Sequence, residues 1–87
     1  MSSVELPIDW QTELFDQEVD ALGLSCPLPL LKAKLALSQM SAGQTLRVVA
    51  TDAGSWRDMH AFAERAGHAM QRAERNDALF CYWLRKA

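Results

Sequence analysis

The chain has 87 residues, with 9 Lys and Arg against 11 Asp and Glu, a formal charge of -2, and 49% hydrophobic residues. That is material for one small domain, since folded domains commonly run about 100–150 residues, and its apolar content excludes global disorder. No apolar run of about 18 residues occurs, so no membrane span is expected. Cys26 and Cys81 are too few for a disulfide scaffold and read as free thiols of a cytoplasmic protein. The opening Met1-Ser2-Ser3-Val4-Glu5 has neither a basic stretch nor an apolar core, so secretion is not indicated.

The charge is unevenly placed. Residues 1–20 carry six acids and no base, whereas residues 21–87 carry nine bases and five acids, a balance of +4. We read residues 1–15 as an acidic leader and residues 16–87 as the folded domain. A basic body behind an acidic leader predicts either an anionic partner or a leader that folds back. Clustered Lys and Arg with interleaved aromatics are missing, so direct nucleic-acid binding is not expected.

In the leader, Pro7 opposes regular pairing, while Trp10, Leu14 and Phe15 could dock on something. Gln17 to Ala21 reads as a short strand, broken by Gly23 and Ser25. Pro27 to Met40 holds strong helix formers, with Pro27 or Pro29 in the first turn and Gly43 suited to a left-handed end. Thr45 to Thr51 is rich in β-branched residues and is a predicted strand. Asp52 to Ser55 is a turn and a helix start. Ser55 and Asp58 have capping-box spacing, with Asp52 as the rival cap. Trp56 to Ala66 is amphipathic, with Trp56, Met59, Phe62, Ala63 and Ala66 on one side. His68 to Glu74 and Leu79 to Arg85 read as strands around an Arg75-Asn76-Asp77 turn. The predicted order, β-α-β-α-β-β, gives a two-layer α/β sandwich: a four-stranded mixed sheet with two helices on one face. Its strand–helix–strand unit is parallel and its last two strands form an antiparallel hairpin.

The most specific segment is Gly23-Leu24-Ser25-Cys26-Pro27-Leu28-Pro29. Pro27 drives Cys26 toward an extended backbone. The thiol then faces the positive end of a helix dipole, worth about 0.3–1 kcal/mol, which predicts a lowered pKa and more thiolate. The rest of the chain offers little rival chemistry. There is no metal-ligand spacing, no Gly-rich phosphate loop and no Ser-His-Asp order, so no metal or cofactor is expected. Cys81, inside Phe80-Cys81-Tyr82-Trp83, reads as a buried apolar residue. His60 and His68 read as surface or satisfied histidines, and Asp58 as a cap.

The segment Asp20-Ala21-Leu22-Gly23-Leu24-Ser25-Cys26-Pro27-Leu28-Pro29 resembles the signature of the TusA/SirA sulfur-carrier family, a Cys-Pro-x-Pro motif behind D-x-x-G. The resemblance continues through Asp52, Arg57-Asp58 and Leu84-Arg85-Lys86, covering about residues 17–87. It departs at Asp52-Ala53 and Met59-His60, where the family often has Asp-Pro and Ile-Pro. What it implies is a persulfide on Cys26, with Gly23, Pro27 and Pro29 as structural support. The implied donor is a cysteine desulfurase or a rhodanese-like protein. The implied acceptor is a further protein, toward tRNA 2-thiolation or other sulfur trafficking. Such a carrier is a sulfurtransferase only in the broad sense.

The first long helix carries a second pattern. Leu30, Ala33, Leu37 and Met40 form one stripe, the predicted core face. Leu28, Leu31 and Leu35 lie about 100–160° away from Leu30. One sheet cannot cover both stripes, so Leu28, Leu31 and Leu35, with Lys32, form a candidate docking strip for partners. The rivals are that Trp10, Leu14 and Phe15 cover the strip, or that the strip self-associates. Two other functions stay open at the sequence level: an RNA- or protein-binding regulatory module in which Cys26 is structural, and a redox sensor using Cys26 with Cys81.

Overall fold

Alternation along two central strands divides the protein into two faces. The computed structural model describes residues 6–87, so the Met1–Glu5 reading lies outside the described residues. The elements are α1 (Ile8–Thr12), β1 (Gln17–Ala21), α2 (Leu28–Ser38), β2 (Thr45–Ala50), α3 (Gly54–Ala66), β3 (Ala69–Asn76) and β4 (Leu79–Arg85). The strands form one sheet in the order β1-β2-β4-β3. β1 and β2 are parallel, and the other two pairings are antiparallel. Leu46, Val48 and Ala50 of β2, with Phe80, Tyr82 and Leu84 of β4, point to one face, where Ala33 and Leu37 of α2 and Met59 and Ala63 of α3 close the main core. This is the sandwich that the sequence predicts.

The opposite face is also covered. Val49, Cys81 and Trp83 pack under Trp10 of α1, which is 3% exposed. Two arginines tie the leader there. Arg47 is buried, stacks over the Phe15 ring at 4.1 Å, and donates to the Glu18 carboxylate and to the Trp10 carbonyl, the latter at 3.1 Å. Arg72 lies 4.9 Å over the Trp83 ring and donates to Asp9, to Glu13 at 3.1 Å and to Glu74 at 3.1 Å. The leader therefore folds back, but not onto the leucine strip: Trp10 sits on the far face of the sheet, and Leu14 is exposed.

Several boundaries differ from the sequence reading. α2 runs 28–38 rather than 27–40, because the Gln39 and Met40 amides bond three residues back, at 3.1 Å each, and tighten the last turn. α3 begins at Gly54, two residues before Trp56. β3 runs 69–76 instead of 68–74, and the turn is carried by Asp77 at φ 55°. Among the described residues, no helix is long and apolar enough to cross a membrane. Since Trp10 is the only large side chain that α1 buries, Trp10→Ala is expected to cost about 3 kcal/mol, the low end of the range for a buried Trp. A urea titration reads this as a lower midpoint, and an unchanged midpoint would show that the strap adds nothing.

Candidate functional site

Two loops leave the same edge of the sheet. β1 ends at Ala21, and Asp20 Oδ1 accepts the Leu22 amide at 3.0 Å, turning the chain. Gly23 follows at φ +78°, a conformation that side chains disfavour, and its amide donates to Thr51 Oγ1 at 2.9 Å. A Cβ at Gly23 would meet nothing within 4 Å, so the backbone and not crowding asks for glycine. The Leu28 amide closes the next turn onto the Ser25 carbonyl at 2.9 Å, and the Cys26–Pro27 peptide is cis. Pro29 is fully buried and pins the start of α2, while Pro27 stays exposed at its N-cap. Cys26 is thus held one residue ahead of the cap, with its side chain exposed.

The second loop brings acids. α3 has no side-chain cap, so neither Ser55, Asp58 nor Asp52 plays the role the spacing predicts. Ser55 is spent elsewhere: its hydroxyl donates to the Asp52 carbonyl at 2.7 Å and accepts from Tyr82 at 2.7 Å. Asp58 instead receives the Cys26 thiol, Sγ to Oδ2, at 3.2 Å. Its Oδ1 lies 3.9 Å from Arg57 Nε. Asp52 turns a buried Oδ2, without a partner among the described residues, toward the same crevice. A Cβ at Gly54 would stand 3.0 Å from that oxygen and 3.8 Å from Cys26 Cβ, so any larger residue there would press on the Asp52 carboxylate and force it to shift by a few tenths of an ångström.

The electrostatics reverse the sequence expectation. The Cys26 pKa is raised, first by the hydrogen bond to Asp58, then by desolvation and by the charges of Asp58 and Asp52, with Arg57 opposing. The dipole expectation fails because Sγ donates to the Asp58 carboxylate of α3, whose hydrogen bond and charge favour the protonated thiol. Sequence reasoning missed Asp58, Asp52 and Gly54 as neighbours of the thiol. The resemblance marked Asp52 and Asp58, but their spacing from Ser55 drew both into capping.

Around this centre, Leu28, Leu31 and Leu35 are 46%, 50% and 63% exposed, and Lys32 is exposed beside them. On the other side of α2, an open groove of about 490 Å³ runs between α2 and α3, lined by Leu30, Lys34, Arg57, Asp58, Phe62 and Arg65. Other candidates lie apart. Cys81 is buried on the far face of the sheet, its thiol pushed up to about 12 by burial. His60 leans on Trp56, ring centroids 4.9 Å apart, and His68 accepts the Ala87 amide at 3.0 Å. The described residues contain no cluster of three or more His, Cys, Asp or Glu able to hold a metal.

A raised pKa makes a prediction of definite sign. Only the thiolate alkylates, so Cys26 modification by iodoacetamide should rise with pH around a midpoint above that of a free cysteine. Cys81 should stay unmodified until the protein is denatured. Peptide mass spectrometry across a pH series checks both, and a Cys26 midpoint below that of free cysteine would refute the carboxylate effect.

The sequence profile described as Sulfurtransferase TusA matches residues 17–86. The sulfur carrier protein TusA of Allochromatium vinosum is 47% identical over 73 residues, covering 84% of this chain and 96% of that one. A putative sulfur carrier protein of Neisseria meningitidis serogroup A is 45% identical over 64 residues, covering 74% and 86%. The crystal structure of a SirA-like protein from Desulfitobacterium hafniense superposes with a TM-score of 0.71 at 27% identity, covering 80% of this chain and 96% of that one. With the profile spanning the whole sheet and both long helices, the chain belongs to the TusA sulfurtransferase family.

Proposed function

We propose that this protein is a sulfur carrier that bears sulfur as a persulfide on Cys26. It takes the atom from a cysteine desulfurase or a rhodanese-like donor in the cytoplasm. It passes the atom to an acceptor protein, toward tRNA 2-thiolation or another sulfur pathway. The observation that carries this reading is the exposed Cys26 thiol at the head of α2, in a chain of this family. Gly23 and Pro29 fix the loop that presents it, with Pro27 beside it.

Transfer has the form of thiol exchange. The Cys26 sulfur attacks the outer sulfur of the donor persulfide. The new S–S bond forms as the donor's own S–S bond breaks, and the donor sulfur leaves as a thiolate that takes up a proton. Delivery repeats the step with Cys26 as the leaving group. Rates follow thiolate fraction, leaving-group pKa and access. Access is what an exposed head of a helix supplies. Exposed Leu28, Leu31 and Leu35, with Lys32, give the partner an apolar strip leading to the sulfur.

The test is to incubate the protein with a cysteine desulfurase and cysteine and record intact mass. One added sulfur is expected, absent in Cys26→Ser and retained in Cys81→Ser. Equal gain in Cys26→Ser, or no gain in the parent chain, would defeat the carrier reading. RNA or protein binding retained by Cys26→Ser without any sulfur uptake would favour a binding module instead. For the strip, Leu31→Glu and Leu35→Glu should slow loading by the desulfurase about tenfold or more, the cost of about 1.4 kcal/mol at a contact. Neither should alter alkylation of Cys26 by iodoacetamide. Loading at the parent rate would remove the strip from the docking surface.

A further inference from the structure

The thiol of Cys26 has one hydrogen-bond partner among the described residues, the Asp58 carboxylate at 3.2 Å. A second carboxylate, Asp52, lies in the same crevice with a buried oxygen that has no hydrogen-bond partner among the described residues. We propose that Asp58 is a positioning residue that holds the empty Cys26 as an aimed, protonated thiol and biases sulfur exchange toward the empty carrier. This rests on the reading of Cys26 as the sulfur-bearing residue.

The bond exists only in the empty state. A thiol donates its hydrogen to Oδ2, a hydrogen bond strengthened by the acceptor's charge. Once loaded, Sγ carries no hydrogen. The outer sulfur stands about 2.05 Å farther along the new S–S bond. A persulfide is a stronger acid than its parent thiol, so at neutral pH it brings negative charge beside two carboxylates. Loading therefore loses an attraction and gains a repulsion.

Among the described residues, two acids and one base face the thiol. Asp58 and Arg57 come from α3, and Asp52 from the loop before it. The Arg57 side chain is exposed, and water screens its opposing charge. Lys34 of α2 and Arg65 of α3 line the groove that Asp58 shares. In the exchange itself, the Cys26 proton leaves to solvent, Sγ takes the outer sulfur, and the donor thiolate is protonated. One thiol and one persulfide give one persulfide and one thiol, with no external oxidant or reductant. The carboxylate acts on the balance of that exchange and not on its stoichiometry.

The experiment compares the full chain with Asp58→Asn, Asp58→Glu and Arg57→Ala. In the first readout, iodoacetamide alkylation of Cys26 is followed against pH, with protection of Cys81 in the same samples reporting an intact fold. Asp58→Asn should move the profile to lower pH and raise the neutral-pH rate severalfold. Asp58→Glu should return it toward the parent position, and Arg57→Ala should move it the other way. In the second readout, each protein is equilibrated with glutathione persulfide and glutathione at one fixed ratio, and the loaded fraction is read by intact mass. Asp58→Asn should be more fully loaded than the parent. A profile that stays in place, or moves to higher pH, in an Asp58→Asn protein that still protects Cys81 overturns the role in holding the proton. A shifted profile with an unchanged or smaller loaded fraction overturns the bias toward the empty carrier. Failure of the parent chain to load at all would sink the carrier reading and the bias with it, while the alkylation profile still decides whether Asp58 holds the thiol.

Discussion

The parallel pairing of β1 with β2 is the constraint on which the site depends. Because both strands run the same way, Ala21 stands beside Ala50 and both chains leave the sheet at one edge. The loop after β1 then lies against the loop after β2, joined by the Gly23 amide and Thr51 Oγ1 at 2.9 Å. From that edge one chain enters α2 and the other α3. Residues 32 apart in sequence, Cys26 and Asp58, meet for this reason. Ligand crevices at the carboxyl ends of parallel strands arise from the same geometry in larger α/β sheets. Here only two strands supply it, and the result is a shallow crevice and not an enclosed pocket.

β2 bears this load because both of its faces are covered. Leu46, Val48 and Ala50 meet the helices, while Val49 meets Trp10 and Trp83 on the far side. The far face matters in so small a protein, since short chains bury a smaller share of their surface. Without α1, an apolar sheet face bearing Val49, Cys81 and Trp83 would stand open to solvent. The acids among residues 1–20 have a structural use there. Asp9, Glu13 and Glu18 are matched by Arg72 and Arg47, whose guanidinium groups also stack on Trp83 and Phe15. The charge asymmetry of the sequence is thus in part internal pairing.

The sequence showed clearly what depends on short-range pattern. The β-branched run at residues 45–50 and the aromatic run at 79–85 alternate between two environments, and the structure assigns each side of the alternation to one face. The leucine stripes of α2 separate as their angular positions require, with Ala33 and Leu37 buried and Leu31 and Leu35 exposed. What escaped it depends on distant partners. α1 is five residues long, too short for a period to register, and its place is set by Trp10 meeting Trp83. Asp58 was ambiguous because three-residue spacing from Ser55 is equally the mark of a capping box. Tyr82, far along the chain, settles the matter by engaging the Ser55 hydroxyl.

The direction of the thiol's pKa follows from a competition of the same kind. A helix dipole acts within its first turn and is weak beside a formal charge in hydrogen-bond contact. Turning Sγ toward α3 exchanges the first influence for the second. A cysteine disfavoured as thiolate presents little of the reactive form at neutral pH and, by the same charge effect, is a poor leaving group, so encounters with small thiols are slowed in both directions. A docked protein does not face that limit to the same degree. If partners dock along Leu28, Leu31 and Leu35 as proposed, that contact would hold the two sulfurs together, and proximity of that kind raises effective concentration by orders of magnitude. On that proposal an exposed sulfur would remain quiet in a thiol-rich medium and still exchange with the partner that fits beside it.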